Sequence, residues 1–297
     1  MTSLLTTAIF IFILGTIIGS FLGVCGFRMP MGIYEPTREG VPELGEDISI
    51  SSPKRSFCPA CRATLSWQEV VPIVSWILQR GRCKSCKAHI SSRYPLVELL
   101  TGILAVLCYL RFGISLTGVT AFLVICSLVV ITLIDLDYMI IPDKITYPGT
   151  ALGLLLGGLS DVTPESSVGF PLEHPFVSSF TDSIYGIIFG AGLLYAIWWL
   201  YLVVRKREGM GLGDIKLLAM LGALFGYQCS LAVIFVGSIF GSFISIALML
   251  IKRRSMDVYI PFGPYLAFAA ILYILNVGSL IGYLMDPTTA THWRMLQ

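Results

Sequence analysis

A chain of 297 residues would suit a medium-sized soluble protein, but 56% hydrophobic and only 13% charged residues exclude one. A mean hydropathy of +0.82 describes an integral membrane protein. The formal net charge of +2 gives no strongly basic chain, and no nucleic-acid partner is expected.

A bilayer core about 30 Å thick asks for about 20 apolar residues per crossing, or fewer where neighbouring protein shields a helix. Eight runs are candidates: 4–27, 96–112, 116–134, 145–160, 183–204, 215–226, 230–251 and 261–284. The first has no basic start. It continues through Gly19-Ser20-Phe21-Leu22 without a small-x-small cleavage site, so residues 1–27 are expected to remain as the first transmembrane helix.

Residues 28–95 form the one soluble-looking stretch. Its strongest signal is Cys58-Pro59-Ala60-Cys61 followed by Cys83-Lys84-Ser85-Cys86. Two C-x-x-C knuckles at that separation can offer four thiolates to one tetrahedral Zn²⁺, with nearby Lys and Arg offsetting the negative charge. Four thiolates leave no open coordination position, so the metal is expected to be structural. Two disulfides are the alternative, disfavoured if the loop lies in a reducing compartment. Cys25, Cys108, Cys126 and Cys229 fall in or beside apolar runs and read as small buried hydrophobes.

Residues 96–284 hold the remaining apolar runs, and 285–297 form a C-terminal tail. Two acidic motifs interrupt this core: Ile134-Asp135-Leu136-Asp137 with Ile141-Pro142-Asp143 downstream, and Gly209-Met210-Gly211-Leu212-Gly213-Asp214. The fourth and sixth runs are short and directly follow these motifs, as helices packed inside a bundle beside a polar site would. Ten Lys and Arg between Arg28 and Arg93, then Arg205-Lys206-Arg207 and Lys252-Arg253-Arg254, mark cytoplasmic loops, whereas residues 161–182 carry Asp161, Glu165, Glu173 and Asp182 and no basic residue. Eight crossings from an external N-terminus satisfy this pattern. Both acidic motifs then meet the cytoplasmic edge of the membrane.

A carboxylate beside hydrocarbon is costly and points to function. Two Asp on one membrane face can share a proton, one activating water while the other donates to a scissile carbonyl. Asp214, at a helix start, is expected to be the ionised member, and Asp135, near a helix end, the protonated one. Asp137, two positions from Asp135, points elsewhere on its helix, and Asp143 reads as a helix-start residue.

With these motifs, the chain resembles the bacterial type IV prepilin peptidases, which act as both leader peptidase and N-methyltransferase. The likeness is carried by Gly19-Ser20-Phe21-Leu22, Arg28-Met29-Pro30, the cysteine pairs, Ile90 to Glu98, Asp135 with Ile141-Pro142-Asp143, Gly211 to Lys216, and Ile260-Pro261-Phe262-Gly263-Pro264. It implies an all-α polytopic fold of about eight transmembrane helices with a cytoplasmic zinc-knuckle-like loop. It makes Asp135 and Asp214 the protease dyad, set in the cell inner membrane and facing the cytoplasm. The implied reaction cuts the short basic leader of a prepilin or type II secretion pseudopilin after a glycine. The enzyme then methylates the new N-terminal residue from S-adenosylmethionine. The methylation function is associated in the family with the loop, including the residues that are here Gly81 and Arg82.

Two other classes compete. A transporter using the aspartates as an ion relay predicts acidic residues deeper within several spans, where this chain has Leu, Ile, Val, Ala, Phe and Gly. A zinc-bearing membrane scaffold explains the loop and leaves the aspartates idle.

Overall fold

The computed structural model describes residues 2–30, 53, 55–162, 175–206, 211–252 and 261–276. The elements in chain order are α1 (Thr2–Arg28), a 3-10 turn (Trp67–Glu69), α2 (Val74–Leu78), α3 (Arg93–Phe112), α4 (Leu116–Tyr138), α5 (Asp143–Val162), α6 (Phe180–Arg205), α7 (Leu212–Lys252) and α8 (Gly263–Leu275). Among the described residues there is no strand, and the isolated antiparallel bridges Phe57–Thr64 and Arg82–His89 belong to the loop. Residues 31–52, much of the acidic loop with Glu165 and Glu173, the motif residues Gly209, Met210 and Ile260, the 253–254 basic pair and the 285–297 tail lie outside the described residues.

Local chemistry sets the helix limits. The Ser115 hydroxyl accepts from the Gly118 N–H at 3.0 Å, and that of Ser179 from the Asp182 N–H at 3.1 Å, each capping a helix start. Met139 and Lys206 end α4 and α6 in the left-handed region, their N–H groups bonded to the Asp135 and Leu202 carbonyls. The 41 residues of α7 do not run straight. Gly226, with φ of 78°, divides them into 212–225 and 227–252, as the two expected apolar runs required.

α1, α3, α4, α6 and α7 are long and apolar enough to cross a membrane, and α8 is a shorter apolar helix. With α7 divided at its kink and α5 added, the eight expected runs each have a helical counterpart. Most of α6 is exposed and apolar, including Phe189, Trp199, Leu200 and Val204, which is the surface a lipid-facing helix presents. By contrast, the first arm of α7 buries Leu217, Leu218, Met220, Leu221, Ala223, Leu224 and Phe225. The chain is a multi-pass membrane protein.

Small residues draw the helices together. A methyl on Gly186 of α6 would overlap the Gly222 carbonyl of α7, so these backbones approach as only glycine allows. A methyl on Gly19 of α1 would stand 2.8 Å from Glu98 Cα of α3. The core between them is dominated by α4, where Ile125, Leu128, Ile131 and Ile134 are fully buried.

Side-chain links identify one end of the bundle. Arg93 at the start of α3 donates from Nη1 to both carboxylate oxygens of Asp137 at 2.7 and 2.6 Å, and from Nη2 to the Leu133 carbonyl at 2.8 Å, tying α3 to the end of α4. Lys216 in the first turns of α7 donates to Asp143 at the start of α5, at 2.7 Å. The loop-side ends of α3, α4, α5 and α7 therefore share one level. The end of α1 joins them, because a methyl on Gly26 would stand 2.9 Å from Leu133 Cβ.

Candidate active site

Both singled-out aspartates sit at this level, and both are buried: Asp135 is 5% exposed and Asp214 is 8% exposed. Asp135 occupies the last turn of α4, where the left-handed Met139 stops the helix and lets the chain turn through Ile141-Pro142 into α5. Asp214 is in the first turn of α7, after the glycine-rich turn, with its N–H on the Gly211 carbonyl at 3.3 Å.

The start of α8 completes the arrangement. The Gly263 N–H donates to Asp135 Oδ2 at 3.0 Å across 128 residues of sequence. A methyl on Gly263 would stand 2.7 Å from that same oxygen, so a side chain is excluded where the backbone meets the carboxylate. Ile141 fills the space between the two helix starts. It would lie 3.0 Å from a methyl on Gly213 and 3.3 Å from one on Gly263. Because the start of α8 faces Asp135, its positive end offsets the negative end of α4. Helix-end charge therefore no longer separates the roles of Asp135 and Asp214 in the way their own helices suggest.

The neighbouring carboxylates are engaged elsewhere. Asp137 turns to Arg93 and Asp143 opens α5 on Lys216. Among the described residues the buried carboxylates are Glu98, Asp135 and Asp214. All three lie toward the loop-side end, leaving no chain of acids through the spans for an ion relay. Gly263, Ile141 and the Arg93–Asp137 pair stood in the sequence only as parts of motifs. A backbone N–H reaching a carboxylate from a distant helix leaves no side-chain signature that could have announced it.

The four loop cysteines converge. Cys58, Cys61, Cys83 and Cys86 bring their sulfur atoms within 4.8 Å of one another, and the Cys58 and Cys86 sulfurs are 3.9 Å apart. Four sulfurs at Zn–S distances of about 2.3 Å stand about 3.8 Å from each other in a tetrahedron, so the donor set fits Zn²⁺. All eight cysteines are unbridged, and the four loop sulfurs gather in one cluster rather than in two separate pairs. Backbone N–H groups of Cys86 and Ser85 hold the Cys83 thiol down at about 7, while Cys61, despite the Ala63 N–H, is pushed up to about 11 by desolvation and the neighbouring sulfurs. Cys25, Cys108, Cys126 and Cys229 are buried as expected of small hydrophobes.

Gly81 and Arg82 differ in what they present. Gly81 is buried at φ 65°, and a methyl there would stand 2.9 Å from Trp76 Cζ2, whose indole N–H donates to the Ile90 carbonyl at 3.0 Å. It is a joint of the second knuckle. Arg82 is exposed and bridges to His89 in the backbone.

Known proteins resemble this chain. Residues 13–112 match the bacterial peptidase A24 N-terminal domain, and residues 122–246 the type IV leader peptidase family. The first match takes in both cysteine pairs and the second both aspartates. A prepilin leader peptidase/N-methyltransferase of Aeromonas hydrophila is 37% identical over 276 residues, covering 89% of each chain. Proteins of the same description are 34% identical over 279 residues in Xanthomonas campestris, covering 91% of this chain and 92% of that one, and 33% identical over 273 residues in Pseudomonas aeruginosa, covering 89% and 88%. No solved structure matches the chain. Two family models and relatives matched along nearly their whole length leave one assignment: the chain is an enzyme of the type IV leader peptidase family.

Proposed function

We propose that this enzyme cleaves the basic leader of type IV prepilins or type II secretion pseudopilins after a glycine, with Asp135 and Asp214 as the catalytic dyad. The observation that carries this reading is the convergence of two buried aspartates, from the end of α4 and the start of α7, at one level of a membrane bundle. A prepilin has a charged head and an apolar helical stem, so its cleavage junction lies at the membrane edge. The excess of Lys and Arg in the 28–95 loop argues that this edge is cytoplasmic and that the membrane is the inner one.

One carboxylate, ionised, takes a proton from water as the oxygen attacks the carbonyl carbon. The other, protonated, gives its proton to the carbonyl oxygen. Collapse of the tetrahedral species returns a proton to the departing amine, and no covalent enzyme intermediate forms. The Gly263 N–H fixes one oxygen of Asp135, which limits its rotation during these transfers. Burial of both groups keeps bulk water from competing for their protons.

The relatives' description couples cleavage to N-methylation. We assign the methyl donor as S-adenosylmethionine and the 28–95 loop as the region that serves this step. The four cysteines would hold Zn²⁺ as a structural clamp between the knuckles. Gly81 shapes the second knuckle, and Arg82 offers an exposed guanidinium suited to a carboxylate on the donor. Co-expression with a prepilin whose basic leader ends in Gly before Phe tests both parts. Asp135→Ala or Asp214→Ala is expected to reduce cleavage by about 10²- to 10⁴-fold, the usual contribution of a general acid or base. Retained processing in either variant defeats the dyad. Arg82→Ala is expected to leave cleavage intact and lower methylation of the product.

A further inference from the structure

Apart from Gln68, Glu69 and Ser75, the segment from Trp67 to Leu78 is apolar where a soluble loop should not be. Trp67 is 78% exposed, Ile77 60% and Leu78 77%, and Val70, Val71 and Val74 are exposed beside them. Within α2 the exposed residues are Val74, Ile77 and Leu78, the i, i+3, i+4 spacing of one helix face. Trp76 turns the other way, over Gly81 and onto the Ile90 carbonyl. A run of exposed apolar side chains of this kind marks an interaction surface.

The fold holds that patch against the spanning helices. The Ile73 N–H, at the start of α2, donates to Glu98 Oε2 at 2.6 Å, and α1 passes the same residue at Gly19-Ser20, where a methyl on Gly19 would stand 2.8 Å from Glu98 Cα. Glu98 lies five residues inside the loop-side end of α3, and Ser20 eight residues inside that of α1. At 1.5 Å per residue the anchor is therefore about 7 Å below the end of α3 and about 12 Å below that of α1. Ile73 holds φ at 62°, costly for a β-branched residue, so the anchor fixes a conformation the chain would not choose freely. At this depth α1 and α3 expose Phe21, Leu96, Leu99 and Leu100, the apolar belt that faces lipid. Beyond α2 come exposed Arg80, Arg82, Lys84 and Lys87, matched in charge to phospholipid phosphates.

We propose that residues 67–78 are a membrane foot, a short interfacial segment seated at the boundary between headgroups and acyl chains, held there by Glu98 and flanked by a phosphate-facing basic cluster. The occupant of the patch is the phospholipid leaflet. The foot sets the height of the tetracysteine module above the bilayer, and it holds whether or not the catalytic reading does.

The test uses the full chain in nanodiscs of phosphatidylcholine and phosphatidylglycerol brominated in the upper acyl chain. The difference in fluorescence between the unaltered chain and Trp67→Phe isolates the Trp67 signal, which is expected to lose most of its intensity relative to unbrominated lipid. In parallel, a photoreactive amino acid in place of Leu78 is expected to yield a phospholipid adduct. An unquenched Trp67 overturns the proposal. So does a Leu78 adduct with an added prepilin or with a second copy of the chain, which would make the patch a protein-docking surface.

Discussion

The Gly263 N–H on Asp135 joins the start of α8 to the end of α4 at the site. The aspartates themselves were legible because a carboxylate is costly beside hydrocarbon and two of them fell on one membrane face. Their support was not legible, since Gly263 contributes a backbone group and the absence of a side chain. Gly263→Ala places a methyl 2.7 Å from Asp135 Oδ2, so the carboxylate must move. Displacement of about 1 Å at a reacting group can cost about 10²-fold. The expected result is a fall in kcat of that order with little change in KM and an unchanged thermal melt. A loss of melting temperature matching the loss of activity would instead make Gly263 a packing residue.

Among the elements, α6 and α7 depend on the closest approach in the bundle. Gly222→Leu pushes a side chain into the Gly186 backbone, and overpacking of this kind costs about 1–3 kcal/mol. A lowered unfolding midpoint in detergent is expected, and an unchanged midpoint would show that the helices separate without penalty. With Zn²⁺ held as proposed, the knuckles depend on it. Removing zinc with a chelator is expected to make residues 55–90 sensitive to protease while the spanning helices stay protected, because the loop's order rests on four thiolates and a few turns. The helices were legible from apolar length and the knuckles from spacing. The division of α7 at Gly226 was legible as two runs because one run of that length exceeds a membrane crossing. The 3-10 turn and α2 were not, since five residues give too short a pattern to read as a helix within a loop. Asp137 illustrates the limit differently. Its helical spacing directed it away from Asp135, but only the fold supplies Arg93 as its partner.

For the whole molecule, charge bias and span counting placed both acidic motifs at one level, and the ties between α3 and α4 and between α5 and α7 give that common level a structural basis. The same end gathers the loop, the anchored foot and the two carboxylates, so on the proposed reading one membrane edge would receive a substrate's apolar stem, its charged head and its newly freed N-terminus. The central claim is that the two aspartates act as one unit. Groups that act together lose nearly all function when either is removed, and a second removal adds little. The direct measurement is the cleavage rate of a prepilin by the purified enzyme carrying Asp135→Asn, Asp214→Asn, or both. Each single variant is predicted to be nearly as inactive as the double, with folding unchanged. A single variant that keeps substantial activity, or losses that multiply independently in the double, would contradict a shared-proton dyad.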